Sequence, residues 1–261
     1  MKNKLFILSF LFLFLRSFYP AVANCTNPPD KQHFQIFSES LNKNIDFSVY
    51  VPPCYDKRLV KGYPVLYLLH GQNMDESVWD NLHLSEDLQA GWKDLTLPYF
   101  LVITIREEEN LQDLFYSDFD RAILESVIPW VDQTYHTCID PSCRAIAGMS
   151  RGALWAADIA FNHPDIFGSV GLLSLPGSPF DDQTVHVLIT QMKQKNGSLR
   201  ILIDSGSEDA YRMKSETFCN QLTFEGFPYS AEIHFGGHDN GFWQSRLPYL
   251  LSWVSLIWNR N

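Results

Sequence analysis

The chain has 261 residues, of which 46% are hydrophobic and 14% aromatic, enough to build a sizeable core. Its 30 acidic residues outnumber 20 basic ones, for a formal charge of −10 and a pI of about 5.2. That balance argues against nucleic acid and anionic membrane surfaces as partners, and no internal repeat or low-complexity tract is present.

Residues 1–23 read as a signal peptide. Lys2 and Lys4 make a basic start, Leu5 to Leu15 is apolar, and Ala21-Val22-Ala23 supplies small residues in A-x-A spacing. Cleavage after Ala23 leaves residues 24–261, expected to be a single domain because no linker composition interrupts them. The apolar run is short for a membrane span, and Arg16 breaks its end. Lipid attachment at Cys25 is the competing reading; Asn24 fits poorly where a small residue normally precedes a lipidated cysteine. The expected location is therefore secreted or periplasmic, with no stable membrane insertion after cleavage.

Ile45 to Val51 alternates as an early, antiparallel strand. Val65 to Leu69 and Leu101 to Ile105 are continuous apolar runs, as expected of strands buried on both faces. His70-Gly71-Gln72 follows the first of them, and His70 reads as a structural loop residue. Glu107 to Glu109, after the second, reads as a solvated acidic edge. Asp118 to Tyr135 has helical spacing, with Ile123, Val127 and Trp130 on one face.

Export makes pairing the default for the five cysteines, and the odd count leaves one over. Cys138 and Cys143 flank the turn-rich Ile139-Asp140-Pro141-Ser142, where a local bridge is sterically reasonable. Cys25 then pairs with Cys54 at the Pro52-Pro53 turn, leaving Cys219 buried and free. The spacings match no zinc pattern, so neither metal nor cofactor is expected.

Gly148-Met149-Ser150-Arg151-Gly152 reads G-x-S-x-G. The apolar Ala145-Ile146-Ala147 precedes it and the helix-permissive stretch from Ala153 to Ala160 follows. A strand, a tight turn and a helix are the context a nucleophile elbow requires. The strain points the serine hydroxyl into the open, and the helix N-terminus beneath it favours developing negative charge. Downstream, Arg200 to Asp204 reads as a buried strand trailed by Ser205-Gly206-Ser207-Glu208-Asp209. Ala231 to Phe235 is the next strand, opening into Gly236-Gly237-His238-Asp239. Asp209 and His238 thus follow Ser150 in the order of a Ser, acid, His triad, in loops at strand ends. Asp204 and Glu208 compete with Asp209 for the acid: Asp204 is early and committed to the turn, and Glu208 should point the other way. Leu247 to Trp258 suits a closing helix.

Strands separated by helical segments imply an α/β fold with a mostly parallel central sheet and helices on both faces. In hydrolases of that plan one oxyanion-hole amide follows the nucleophile and the other lies after the first central strand. This nominates the backbone N–H groups of Arg151 and Gln72. His234 reads as a strand-face residue, and His33, His83, His136, His163 and His186 as structural or exposed. Trp79, Tyr116 and Trp243 are equally compatible with lining a pocket and with packing.

The chain resembles the esterase family of α/β-hydrolases that includes S-formylglutathione hydrolase (esterase D), feruloyl esterase domains of xylanases, enterochelin esterase and the mycolyltransferases. The resemblance rests on Tyr50 to Tyr55, Pro64 to Gly71 with Trp79, Gly148 to Gly152 and His163 to Phe167. Gly206 to Asp209 and Gly237-His238-Asp239 with Trp243 complete it. It implies that the G-x-x-D loop supplies the acid as Asp209 and the G-H-D loop the base as His238. Cys54 stands where relatives often carry glycine, which suggests a disulfide variant. Ile105 to Glu109 replaces a proline- and glycine-rich loop near the expected pocket, so no one relative's substrate transfers. The expected activity is that of an exported serine esterase acting through an acyl-enzyme on a small-molecule or glycan-linked ester. An acyltransferase of the same fold and a catalytically idle binding module are the alternatives.

Overall fold

The computed structural model describes residues 27–58, 61–108, 116–195 and 197–258. The expected signal peptide at 1–23, and Cys25 with its expected pairing, lie outside the described residues. Strands β1 (Asp30–Ser38), β2 (Lys43–Val51), β3 (Val65–Leu69) and β4 (Leu101–Ile105) come first. They are followed by β5 (Arg144–Met149), β6 (Ser169–Leu173), β7 (Arg200–Gly206) and β8 (Ser230–His234). All eight join in one sheet of order β1-β2-β4-β3-β5-β6-β7-β8. β1 and β2 pair antiparallel, as do β2 and β4, and every pair from β4 to β8 is parallel.

Side chains alternate across a strand, and β3 shows what that does here. Val65, Tyr67 and Leu69 enter one apolar cluster while Leu66 and Leu68 enter the other. The first cluster is closed by α3 (Phe119–Ala122), α4 (Ile128–Thr134), α5 (Arg151–Asn162), α6 (Asp182–Gln194) and α7 (Arg212–Phe224). The second is closed by α1 (Val78–Asn81), α2 (Leu84–Lys93) and α8 (Asn240–Ser255). Helices therefore cover both faces, and β3 to β6 are buried at every residue, which is why β3 and β4 read as apolar runs in the sequence.

The helix expected over 118–135 is interrupted. A π-helical turn, Ile123–Val127, separates α3 from α4 immediately before Pro129. Proline has no N–H to donate and crowds the carbonyl one turn back, so the ladder widens there. The closing helix begins at Asn240 instead of Leu247, because Asp239 caps it by accepting the Phe242 N–H at 3.0 Å. Cys138 and Cys143 are bridged, with Cα atoms 5.8 Å apart. Cys54 is also disulfide-bonded. Cys219 is a free, half-buried thiol, pushed up to about 11 chiefly by burial. Among the described residues no helix is long and apolar enough to cross a membrane.

The chain leaves β3 for β4 on one side and returns to β5 on the other, both parallel to β3. A crevice opens outside the carboxyl ends of strands where the strand order reverses in this way. His70-Gly71-Gln72 and Ser150 stand at its two lips.

Candidate active site

Ser150 ends β5 and begins α5 with φ 53° and ψ −120°. A non-glycine residue is held in that region only when its surroundings over-determine it. Its N–H donates to the Leu173 carbonyl at 2.9 Å, and its carbonyl accepts from Ala153 and Leu154 in the first turn of α5. Both motif glycines are steric necessities. A Cβ on Gly148 would lie 2.2 Å from the Gly152 carbonyl oxygen, and one on Gly152 would lie 2.2 Å from the Leu69 oxygen. The sharp turn therefore packs backbone against backbone and leaves the serine hydroxyl at the half-buried N-terminus of a 12-residue helix.

Ser150 Oγ lies 2.8 Å from His238 Nε2, and His238 Nδ1 lies 3.0 and 3.1 Å from the two Asp209 carboxylate oxygens. Asp209 is buried, and its side chain is fixed by the Tyr211 N–H, which donates to Oδ1 at 2.8 Å. The two loops are held in register by backbone bonds continuing the β7–β8 ladder: Ser207 N–H to the His234 carbonyl, and Glu208 N–H to the Gly236 carbonyl. The imidazole sits between ring edges, with Tyr211 at 4.8 Å and Trp243 at 5.2 Å between centroids. Trp243 Nε1–H donates to the buried Ser174 Oγ, which anchors the indole.

The competing carboxylates are elsewhere. Asp204 is fully buried and held by Arg246 at 2.7 Å, its carboxyl pushed up by burial against the opposing pull of that guanidinium. Glu208 is exposed. Trp79 is a fully buried core residue, Trp243 packs on His238, and Tyr116 is exposed.

Gly71 closes on Ser150 from the other side: a Cβ placed on it would lie 3.6 Å from Ser150 Cβ. Neither the Gln72 nor the Arg151 N–H has a backbone acceptor among the described residues. His70 is buried, with Nδ1 2.8 Å from the Gly71 carbonyl oxygen and Nε2 accepting the Glu107 N–H at 2.9 Å. Nε2 as acceptor leaves the ring proton on Nδ1, and burial lowers the pKa, so His70 is neutral.

One sequence expectation is corrected here. Glu107 is buried, not a solvated edge, and its carboxylate takes a two-armed hydrogen bond from the Arg151 guanidinium at 2.6 to 3.0 Å. Glu108 is partly exposed beside Arg106, and Glu109 lies outside the described residues. Sequence reasoning missed this pair because the partners are 44 positions apart. It also missed Tyr211 and Ser174, whose roles depend on which loop they meet. Among the described residues no cluster of three or more His, Cys, Asp or Glu could hold a metal ion.

An α/β sheet crossed at its switch point by a strained Ser, with His and Asp brought to it from the next strand ends, is the layout of an α/β-hydrolase. The chain belongs to the family described as "Putative esterase", whose sequence model matches residues 38–254. It is 31% identical over 156 residues to an endo-1,4-beta-xylanase/feruloyl esterase of Xylanibacter ruminicola. That match takes in 55% of this chain and 21% of the relative, so the chain spans about a fifth of the relative's length. A ferulic acid esterase structure superposes with a TM-score of 0.79 at 23% identity, covering 88% of this chain and 99% of that one. A second, from Anaeromyces mucronatus and in complex with ferulic acid, superposes at 0.68 with 17% identity, covering 86% and 90%.

Proposed function

We propose that the protein is an exported serine esterase that hydrolyses a carboxylic ester through an acyl-enzyme on Ser150. The observation that carries this reading is the unbroken relay from Ser150 Oγ to His238 Nε2, and from His238 Nδ1 to Asp209. Ser150 donates its hydroxyl proton to His238 Nε2 as Oγ bonds to the ester carbonyl carbon. The carbonyl π pair moves to oxygen, and the Gln72 and Arg151 N–H groups receive that oxyanion. Asp209 accepts the Nδ1–H, which keeps Nε2 free as the base and stabilises the imidazolium that forms. The intermediate collapses when His238 returns the proton to the departing alcohol oxygen. Water, deprotonated by His238, then attacks the acyl-serine, releasing the acid and restoring Ser150.

The substrate class we propose is a small-molecule or glycan-linked ester, with an aryl acid as acyl group. The relatives named as feruloyl and ferulic acid esterases support it, as does the solvent-exposed Tyr211 ring beside His238. Export is supported by residues 1–23 and by the Cys138–Cys143 bridge, since such bonds persist in oxidising compartments.

A fluorophosphonate probe tests the reaction class. Wild type should label on Ser150 and hydrolyse a feruloyl ester faster than an aliphatic-acid ester of the same alcohol, while Ser150→Ala should do neither. Absence of both labelling and turnover in the wild type would overturn the reading. The mature mass should begin at Asn24; retention of residues 1–23 in the exported fraction would remove the signal-peptide assignment.

A further inference from the structure

We propose that His70, Glu107 and Arg151 are positioning residues that hold the two oxyanion-hole peptides in place as one buried, connected unit. This rests on the serine-esterase reading and on Gln72 and Arg151 as its oxyanion donors. The three residues are 2%, 3% and 9% exposed, so water does not compete for their bonds. Glu107 is the hub. Its carboxylate clamps the side chain of Arg151, the residue after the nucleophile, and its own N–H donates to His70 Nε2. His70 in turn donates from Nδ1 to the Gly71 carbonyl.

That last bond controls a group it does not touch. The Gly71–Gln72 peptide is planar and trans, so its C=O and N–H point in opposite directions. Holding the Gly71 oxygen toward His70 therefore aims the Gln72 N–H the other way. Without the Nδ1 donor, rotation of this peptide would turn a carbonyl toward the place where negative charge develops. At the other end, the Arg151 side chain ties the first turn of α5 to the loop after β4. Its positive charge is spent on Glu107, which makes it an anchor instead of a direct partner of the oxyanion. The ends of β3, β4 and β5 are thus linked from one oxyanion donor to the other through a single chain of hydrogen bonds.

Two His70 variants separate positioning from bulk stability. In His70→Asn the side-chain amide nitrogen occupies the place of Nδ1 and keeps the bond to Gly71, while the acceptor for Glu107 is lost. In His70→Gln the amide oxygen reaches the Glu107 N–H and the Gly71 donor is lost. Each variant therefore retains one of the two bonds. We expect His70→Gln to lose on the order of 10² in kcat, the size of one removed oxyanion donor, with KM changed less than about twofold. His70→Asn should retain at least about tenfold more kcat than His70→Gln. A boronic acid, which forms a tetrahedral adduct with the serine, should lose affinity in the same order. Equal kcat and equal boronate affinity in the two variants, or His70→Gln being the more active, would overturn the inference. Glu107→Gln, which keeps the shape but loosens the clamp, should lower kcat about tenfold at constant KM; an unchanged kcat would remove Glu107 from the unit. The reading beneath is tested separately by wild-type labelling and turnover. Their absence would sink both proposals, whereas a labelled, active wild type with indistinguishable His70 variants sinks this one alone.

Discussion

At the ends of β3, β4 and β5 the site is held by a charge pair sealed from water, Arg151 with Glu107, and a neutral buried histidine. At the ends of β7 and β8 it is held by backbone bonds between loops and by ring edges around His238, whose side chain is 20% exposed. On the proposed mechanism, the difference follows from what each half would do in ester hydrolysis. Dipoles that receive an oxyanion work best when they are already aimed and dry, because they then need no reorganisation. A base that becomes an imidazolium needs some contact with water and a fixed counter-charge, and on the proposed roles Asp209 beside a half-open His238 ring would supply both.

Ser150 is where the halves meet, and removing its hydroxyl is the strongest way to break the comparison. Ser150→Ala should lower kcat by at least about 10⁴-fold, since members of such a unit act together, while leaving the melting temperature within a few degrees of wild type. Steady-state kinetics beside thermal melting decides it; activity within tenfold of wild type would take Ser150 out of the mechanism.

Next in size is the acid. Asp209→Asn should lower kcat by about 10³- to 10⁴-fold with little change in KM, because an amide can donate to Nδ1 and select the wrong tautomer. Glu208→Gln should change kcat less than about twofold, as that carboxylate faces solvent. Asp204→Asn should act on stability through Arg246, with its activity loss far below that of Asp209→Asn. A larger loss of kcat at Asp204 or Glu208 than at Asp209 would reassign the acid.

The oxyanion half is sharpened by a stability measurement. Glu107→Ala leaves the Arg151 guanidinium buried without its partner and should cost about 3–5 kcal/mol in denaturant unfolding. The pair Glu107→Leu with Arg151→Met replaces both charges by apolar groups of similar size and should recover most of that loss. If the single variant costs under about 1 kcal/mol, water reaches the pair and the contrast between the two halves disappears.

How much of this was legible in the sequence depends on range. The strands at Val65–Leu69 and Leu101–Ile105 coincide with their apolar runs, because burial on both faces demands hydrophobicity at every position. The elbow was legible because both glycines and the serine fall within five residues: Gly148 meets the Gly152 backbone locally, and Gly152 is fixed by the distant Leu69 and His70 carbonyls, so neither position admits a Cβ. Edge strand β1 left no such run: it is paired on one side only, and of its residues just Phe34 and Ile36 pack on the apolar cluster. Glu107 was misread for a related reason. A carboxylate in a charged run is normally hydrated, and only the folded approach of β4 to α5 supplies the guanidinium that permits its burial.

The smallest effect lies further along α5 and tests whether helix stability and chemistry separate. Asp158 is seven residues on from Arg151, about 10 Å down the helix. Burial, with a lesser push from Asp120, raises its carboxyl from 3.8 to about 6. Below pH 4 the group is protonated folded or unfolded and adds no penalty. As pH rises from about 4 to 6 the unfolded chain gives up this proton while the folded protein keeps it, so stability falls over that window and stays lower above it. Asp158→Asn removes the ionisation. It should leave stability unchanged near pH 3.5, raise it by about 1–2 kcal/mol at pH 7.5, and keep kcat within twofold of wild type. Unfolding curves at the two pH values supply the test. An equal effect at both would mean that the change is one of packing. A large change in kcat would mean that the far half of α5 governs the nucleophile, and the site could then no longer be divided into an anchored half and a proton-carrying half.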